Sequence, residues 1–552
     1  MMSKNRNART RSIAEKGSKP ASDAEANGFQ STTRKQQQQK REIASKIFSI
    51  QNTLRGASGI EPSDFKNYIL GFLFYRYLSE DFASYVDKEN DLSSTSVYAN
   101  LDDVEVTEWT SALIGEKGYF IKPSQLFANV AKGAPRNDDL NEHLAVIFSE
   151  IEASSYGSPS EEDFRGLFDD VDMNSKAIGV TVAERNRTLA ELMVKVGELD
   201  LGAHGASVDI LGDVYEMLIA DYASSAGKRG GEFYTPQEVS KLLVRLTMLD
   251  RDENETKKLR VYDPTCGSGS LLLKFLREQH VRVSQYYGQE LKHVTFNLAR
   301  MNFFMHGIPF EQFHIVVGDT LRNPQFMEFA GHMDAVVANP PYSIHWDGDG
   351  DPILAADERF TPAGRLAPKG KADLAFVMHM LHMLAPSGTA AIVEFPTVLS
   401  RSGAEKDIRK YLVDNDFVDT IIQLPANLFY GTSIATCIIV LKKNKSEDRK
   451  GKTVFVDASK LFESATNMNV MNAAHQDEII KLVTERVNAD HKAALVDKAE
   501  IVKNDYTLSV NKYVAMEDTR EKVDIDVLEQ ELEEIVARQE KVRSAIQKMV
   551  AG

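Results

Sequence analysis

Residues 338–343 read Ala-Asn-Pro-Pro-Tyr-Ser, beginning on the last residue of the apolar run "DAVVA" (334–338). Two consecutive prolines fix φ and remove two backbone donors. A plain rigid turn has that character. So does a site that must hold hydrogen-bond acceptors still, with Asn339 supplying an amide, Pro340 and Pro341 the stiffness and Tyr342 a ring. Other residues with chemistry stand at comparable places. The run "LRVYD" (259–263) ends on Asp263, and "PTCGSGS" follows, in which Gly267, Ser268 and Gly269 form a tight turn opening onto a helix. Glycines there permit φ > 0 and a close ligand approach. The turn lacks the third glycine of a dinucleotide fingerprint and the Lys-Ser/Thr of a P-loop. A carboxylate at such a strand end suits a cationic group, an amine or a sulfonium, better than a phosphate. The next run, "YYGQE" (286–290), ends on Glu290, placed to accept from two ribose hydroxyls as in dinucleotide folds. The third run, "FHIVVGD" (313–319), ends on Asp319, placed to accept from an adenine amine. Upstream, Phe233-Tyr234-Thr235-Pro236 precede a helical pattern, with Pro236 at its start, Thr235 as its cap and free N–H groups suited to a carboxylate. Each residue alone reads as a surface carboxylate or an ordinary turn. Together, on successive strand ends, they describe one ligand: adenosine bearing a cationic amino acid.

The elements that must position these residues are legible as a change of period. From about 205 to 460, short β-rich runs alternate with helical ones, which predicts a mainly parallel sheet with helices on both faces. Ligands of such sheets bind beyond the carboxyl ends of the strands. Residues 41–204 are mostly helical. "SDFKNYILGFLFYRYLSEDFASYV" (63–86) places Phe65, Ile69, Phe72, Leu73, Tyr77 and Phe82 mostly on one face, and further helices fall at 141–154 and 186–199. Residues 1–40 are polar, basic and expected to be disordered. Near the C-terminus, Ile525, Leu528, Leu532, Ile535, Val542, Ile546 and Met549 keep heptad spacing, a seam for another helix or for the chain's own domain. The expected division is thus 1–40 tail, 41–204 helical domain, 205–515 catalytic domain and 516–552 C-terminal helix.

Bulk composition narrows the classes. The 552 residues carry a net charge of −16. Residues 1–46 hold eleven Lys/Arg against four Asp/Glu, a net of +7, which leaves −23 on the remainder. An acidic body argues against self-sufficient nucleic-acid binding, so a partner is expected to supply much of any phosphate-binding surface. No apolar stretch approaches the ~20 residues that span a bilayer, and the start lacks an apolar signal core; the expectation is a cytoplasmic protein without a membrane partner. Cys266 and Cys437 make no disulfide framework or structural zinc site. His379 and His382 sit on an apolar helical stretch and read as core rather than as metal ligands.

The motifs "FYTP" (233–236), "DPTCGSGS" (263–270), "GQE" (288–290), "GDT" (318–320) and "NPPY" (339–342) resemble, in order, those of S-adenosylmethionine-dependent amino-methyltransferases. The last is typical of enzymes methylating adenine N6. The flanking stretches "DFKNYILGFLFYRYLSE", "APKGKADLAFVMH", "LSRSGAEKDIRKYLVDN" and "LPANLFYGTSIATCIIVLKK" resemble the modification subunit of type I restriction–modification systems, over roughly residues 41–520. Two departures leave the core motifs intact: Thr265-Cys266 stand where the family often has small residues, and Ser402 where it often has a second glycine. The resemblance implies a Rossmann-like methyltransferase fold that uses S-adenosyl-L-methionine. It implies double-stranded DNA as substrate, a separate specificity subunit docked through the C-terminal helix, a second copy of this chain, a motor-nuclease subunit and a prokaryotic cytoplasm. On this reading the Asn339 side-chain oxygen and the Pro340 carbonyl accept from the adenine amine, Tyr342 stacks on an extruded base, and no thiolate nucleophile is required. Residues 344–371, rich in Gly, Asp and Pro, read as a mobile lid or a solvated loop, with Arg365, Lys369 and Lys371 available to phosphate. Three alternatives remain at this point: a cytosine N4 acceptor, a protein glutamine amide, and a catalytically silent scaffold subunit.

Overall fold

The computed structural model of the chain describes residues 42–50, 62–89, 97–200, 207–225, 235–251, 258–278, 281–429, 433–466, 468–516 and 525–551. The basic tail, Phe233 and Tyr234 lie outside them.

Nine strands form one sheet. In chain order they are Leu259–Asp263 (β1), Val283–Glu290 (β2), Phe313–Val317 (β3), Met333–Ala338 (β4), Leu384–Glu394 (β5), Val418–Gln423 (β6), Cys437–Lys442 (β7), Lys452–Asp457 (β8) and, after a two-stranded ribbon of Glu463–Ser464 (β9) and Asn469–Val470 (β10), Ala493–Asp497 (β11). Their order across the sheet is β11-β8-β6-β7-β5-β4-β1-β2-β3. The β3-β2-β1-β4-β5 half is parallel throughout. Antiparallel β7 sits between β5 and β6, and antiparallel β11 closes the edge beyond β8. The central strands are apolar on both faces, as parallel strands covered on both sides must be. In β4, Ala335 and Val337 face one core and Val336 and Ala338 the other.

Helices Gln237–Met248 (hereafter α5), His293–Met305 (α6) and Ala473–Glu485 (α9) cover one face; Asp373–Met383 (α7) and Ala404–Asp414 (α8) cover the other. The N-terminal helices Pro62–Glu89 (α1), Leu140–Ser154 (α2), Val182–Gly197 (α3) and Ser207–Ser225 (α4) extend the first core. Helix α3 starts with a reciprocal cap: Glu184 N–H donates to Thr181 Oγ1 and Thr181 N–H to Glu184 Oε2. Helix α1 is buried on nearly every side between Tyr68 and Tyr75, rather than on the single face that its periodicity predicts. The helical region meets the sheet through α6. Phe304 packs at 4.9 Å from the Phe164 ring, and buried Arg300 donates to the carbonyls of Glu162, Asp163 and Arg165 at 3.0–3.1 Å.

The glycine turn after β1 opens onto a six-residue 3-10 segment, Leu272–Arg277, and not onto an α-helix. Its apolar residues Leu272, Leu273 and Phe275 enter the core, and Lys274 is buried with them. The final helix Ile525–Val550 (α10) is exposed along its whole described length, its seam residues Leu528, Leu532, Ile535, Val542, Ile546 and Met549 included. No described helix is long and apolar enough to cross a membrane.

Candidate active site

The carboxyl ends of β1, β2, β3 and β4 lie side by side, because these strands are adjacent and parallel. Asp263 closes β1 and is 2% exposed. Its Oδ1 accepts from Thr265 N–H at 2.9 Å. Burial, opposed only in part by that bond, pushes its carboxyl up to about 7. The turn that follows needs glycine at two places. Gly267 and Gly269 have φ of 54° and 76°, and a Cβ on Gly269 would stand 2.7 Å from the Phe303 ring. Ser268 is buried in this turn, its carbonyl accepting from Asn302 Nδ2 at 2.9 Å.

Glu290, at the end of β2, is clamped by two backbone donors: Gly267 N–H at 3.1 Å and Lys292 N–H at 2.9 Å. Burial raises its pKa above the ordinary carboxylate value. Asp319, two residues beyond β3, accepts on Oδ1 from Leu321 N–H at 2.9 Å and Arg322 N–H at 3.3 Å. Asn339 follows β4. Its Nδ2 donates to Thr235 Oγ1 at 3.0 Å, and its Oδ1 accepts from the Tyr342 hydroxyl. Thr235 is therefore not the cap of α5. That position belongs to Pro236, whose side chain makes no cap bond. The Thr235 hydroxyl instead holds a residue 104 positions away.

A cavity of about 480 Å³ opens on these strand ends, within the size range of small-molecule sites. Thr265, Glu290, Asp319, Asn339 and Pro341 line it. Asp263, Pro236, Gly267, Ser268, Gly269, Pro340 and Tyr342 are not among the residues that line it. The wall also includes residues the sequence did not single out one by one, among them His345, Trp346 and Asp347 after the proline pair and Phe376 of α7.

Beside Asn339, the Tyr342 ring packs on Phe395 at 4.3 Å, with Phe429 edge-on at 6.5 Å. Phe395 follows the end of β5, where the strand-end rule that exposed Asp263 would also have pointed. Glu394, just before it, is fully buried. Burial, and then the neighbouring Asp373 carboxyl, hold it well above the usual carboxylate range. Asp373 Oδ1 accepts from Ser343 N–H at 2.9 Å, which ties the residue after Tyr342 to the start of α7.

Neither cysteine lines the cavity. Both are buried, and burial pushes both thiols well above their ordinary range. His379 is fully buried and hydrogen-bonded to Tyr262 and Arg359, as a core histidine. Among the described residues, one group has metal-ligand spacing, Asp213, Glu216 and His306. Its two carboxylates already pair with Arg277 and Lys274, so the chain supplies its own counter-charges there.

The comparisons with known proteins agree with this arrangement. The family described as N-6 DNA Methylase matches residues 206–522, and the HsdM N-terminal domain matches residues 43–196. A type I restriction enzyme methylase subunit of Mycoplasma pneumoniae (MpnII) is 42% identical over 535 residues, covering 94% of this chain and 97% of the relative. One from Methanocaldococcus jannaschii (MjaVII) is 30% identical over 499 residues, covering 87% and 80%. The crystal structure of the type I restriction-modification system methyltransferase subunit from Streptococcus thermophilus superposes with a TM-score of 0.78 at 36% identity, covering 86% of this chain and 99% of that one. With its methyltransferase sheet, its strand-end carboxylates and its proline-stiffened asparagine, the chain belongs to the N-6 DNA methylases, as a methylase subunit of the type I restriction–modification family.

Proposed function

We propose that this subunit transfers a methyl group from S-adenosylmethionine to the N6 amine of an adenine extruded from duplex DNA, at sites chosen by a separate specificity subunit. The observation that carries the reading is that Asn339 lines the same cavity as Glu290 and Asp319. The residues present fit the cofactor. A cavity of this size holds an adenosyl group, and the acidic groups suit a cationic sulfonium amino acid. Glu290 would hold the ribose hydroxyls, Asp319 the adenine amine, and buried Asp263, hydrogen-bonded to the lining residue Thr265, would offset positive charge. When bound, S-adenosylmethionine supplies the methyl as an electrophile.

The remaining chemistry belongs to this chain. An exocyclic amine is a poor nucleophile because its lone pair is delocalised into the ring. The Asn339 side-chain oxygen and the Pro340 carbonyl accept its two hydrogens and favour a pyramidal nitrogen. Thr235 and the proline pair fix the first acceptor before reaction, which is the preorganisation such electrostatic assistance requires. Tyr342, Phe395 and Phe429 give the extruded base an aromatic wall. The amine would take the methyl directly, the methyl–sulfur bonding pair staying on sulfur as a neutral thioether departs, and the amine's proton would leave to solvent. No thiolate takes part. Placing 2-aminopurine at the target position tests extrusion. In the assembled complex its fluorescence should rise on binding; an unchanged signal in a complex that binds DNA contradicts extrusion.

Asp263 adds a pH dependence. Below pH 7 its carboxyl is neutral and must lose a proton to face a cation; above pH 7 it is already charged. Cofactor affinity should therefore rise with pH, by about tenfold between pH 6 and pH 8, and then level off. Titration calorimetry in buffers of different ionisation enthalpy should register proton release below pH 7. Asp263→Asn should bind more weakly and without this slope. A slope unchanged in Asp263→Asn would assign it to another group.

The same reading gives the exposed seam of α10 an occupant, a helix of the specificity subunit. It also carries the division at residues 1–40, 41–204, 205–515 and 516–552, the second copy of this chain, and the motor-nuclease partner needed for cleavage.

A further inference from the structure

Residues 344–371, which their composition marks as a lid or a solvated loop, contain local structure and one deeply buried side chain. They contain the short helix Pro352–Ala356 and three-residue turns at 348–350 and 361–363, and one arginine inside them is 1% exposed. That residue, Arg359, has every guanidinium nitrogen engaged. Nη1 donates to the Thr320 carbonyl at 2.8 Å and to His379 Nδ1 at 3.1 Å. Nη2 donates to the Leu321 carbonyl at 2.6 Å and to Asp357 Oδ2 at 2.7 Å. Nε donates to Asp357 Oδ1 at 3.0 Å.

Two consequences follow from the chemistry of these groups. Arginine only donates, so His379 Nδ1 is the bare nitrogen and Nε2–H donates to the Tyr262 oxygen at 3.0 Å. Thr320 and Leu321 directly follow Asp319, whose carboxylate is oriented by the Leu321 and Arg322 amides. Arg359 thus holds the carbonyl side of the short backbone whose amide side holds Asp319. The network reaches β1 as well. Tyr262 precedes Asp263, and Thr320 Oγ1 donates to the Pro264 carbonyl at 2.6 Å. Arg322 pairs with Asp347 of the same segment, which lines the cavity.

We propose that Arg359 is the positioning residue of the Asp319 turn, acting through the Thr320 and Leu321 carbonyls to fix the carboxylate that receives the adenine amine of the cofactor. The proposal rests on the reading of this cavity as the S-adenosylmethionine site. It requires the planar fork of arginine, because a lysine ammonium cannot reach both carbonyls, Asp357 and His379 in one geometry.

The test is a double-mutant cycle on the full chain, with S-adenosylmethionine affinity measured by calorimetry for wild type, Asp319→Ala, Arg359→Lys and the double variant. Arg359→Lys should bind about tenfold more weakly in the wild-type background and lose less than about twofold further in the Asp319→Ala background. A residue that merely supports the fold would give equal losses in both, and that outcome overturns the proposal. Hydrogen exchange on the ligand-free chain gives a second readout. The Leu321 and Arg322 amides should exchange faster in Arg359→Lys, and unchanged exchange overturns the proposal even if the wild type binds no S-adenosylmethionine. Failure of wild-type binding by itself counts against the cavity reading alone. Should Arg359→Lys not fold, His379→Leu removes the acceptor behind Nη1. Faster exchange confined to residues 319–322 is then expected, and uniform rates contradict the role.

Discussion

Asn339→Ala should lower methyl transfer by about 10³-fold, the scale of removing one preorganised group at the reacting centre. Cofactor affinity should stay within a few-fold, because Glu290, Asp319 and the glycine turn keep their own partners. The asymmetry follows from where Asn339 stands. It lines the cavity at the end of β4, fixed by Thr235 and Tyr342, and it touches neither Glu290 nor Asp319 through any hydrogen bond of its own. Single-turnover transfer in the assembled complex reads the first quantity and calorimetry the second. Comparable transfer in the variant would remove Asn339 from the chemistry. A parallel collapse of cofactor binding would make it a binding residue.

Lys274→Met should cost about 3–5 kcal/mol of folding stability, the penalty for leaving a buried partner charge uncompensated. Lys274 is 2% exposed and Glu216 3% exposed, and Lys274 Nζ donates to Glu216 Oε2 at 2.7 Å. Gln237 Nε2 donates to the same oxygen at 3.1 Å. Three elements meet there: α4, the start of α5 just after Thr235-Pro236, and the 3-10 segment just after the glycine turn. The pair therefore joins both flanks of the site. Urea unfolding of the full chain measures the loss. Glu216→Gln combined with Lys274→Met removes both charges and should recover most of it. A loss below about 1 kcal/mol in Lys274→Met would contradict the account of a buried partner left without its counter-charge.

The sheet was legible because buried parallel strands write continuous apolar runs, and Asp263, Glu290, Asp319 and Asn339 punctuate four of them at their carboxyl ends. Edge strand β11 was not. Its sequence, "AALVD", lies among charged residues and pairs on one side only. Thr235 read as a helix cap because local propensity favours that use; a contact from Asn339, far along the chain, redirects its hydroxyl. Helix α1 read as one-faced because its periodicity does not reveal that α2, α3, α4 and α6 enclose it. Residues 344–371 read as loop from their glycines and aspartates. Arg359 is held by the backbone carbonyls of Thr320 and Leu321, which carry no sequence signature, and by His379, which lies 20 positions away. Tyr342 was singled out from the sequence as a ring at the proline pair, whereas Phe395 and Phe429 come from segments that only the topology brings beside it.

The central claim is tested most directly by transfer of labelled methyl from S-adenosylmethionine to duplex DNA, with the chain co-expressed beside its specificity subunit and the modified nucleoside identified after digestion. The account expects N6-methyladenine, formed only when both chains are present. N4-methylcytosine would keep the mechanism and contradict the acceptor. No transfer to DNA from a complex that binds both the cofactor and the duplex would contradict the account as a whole.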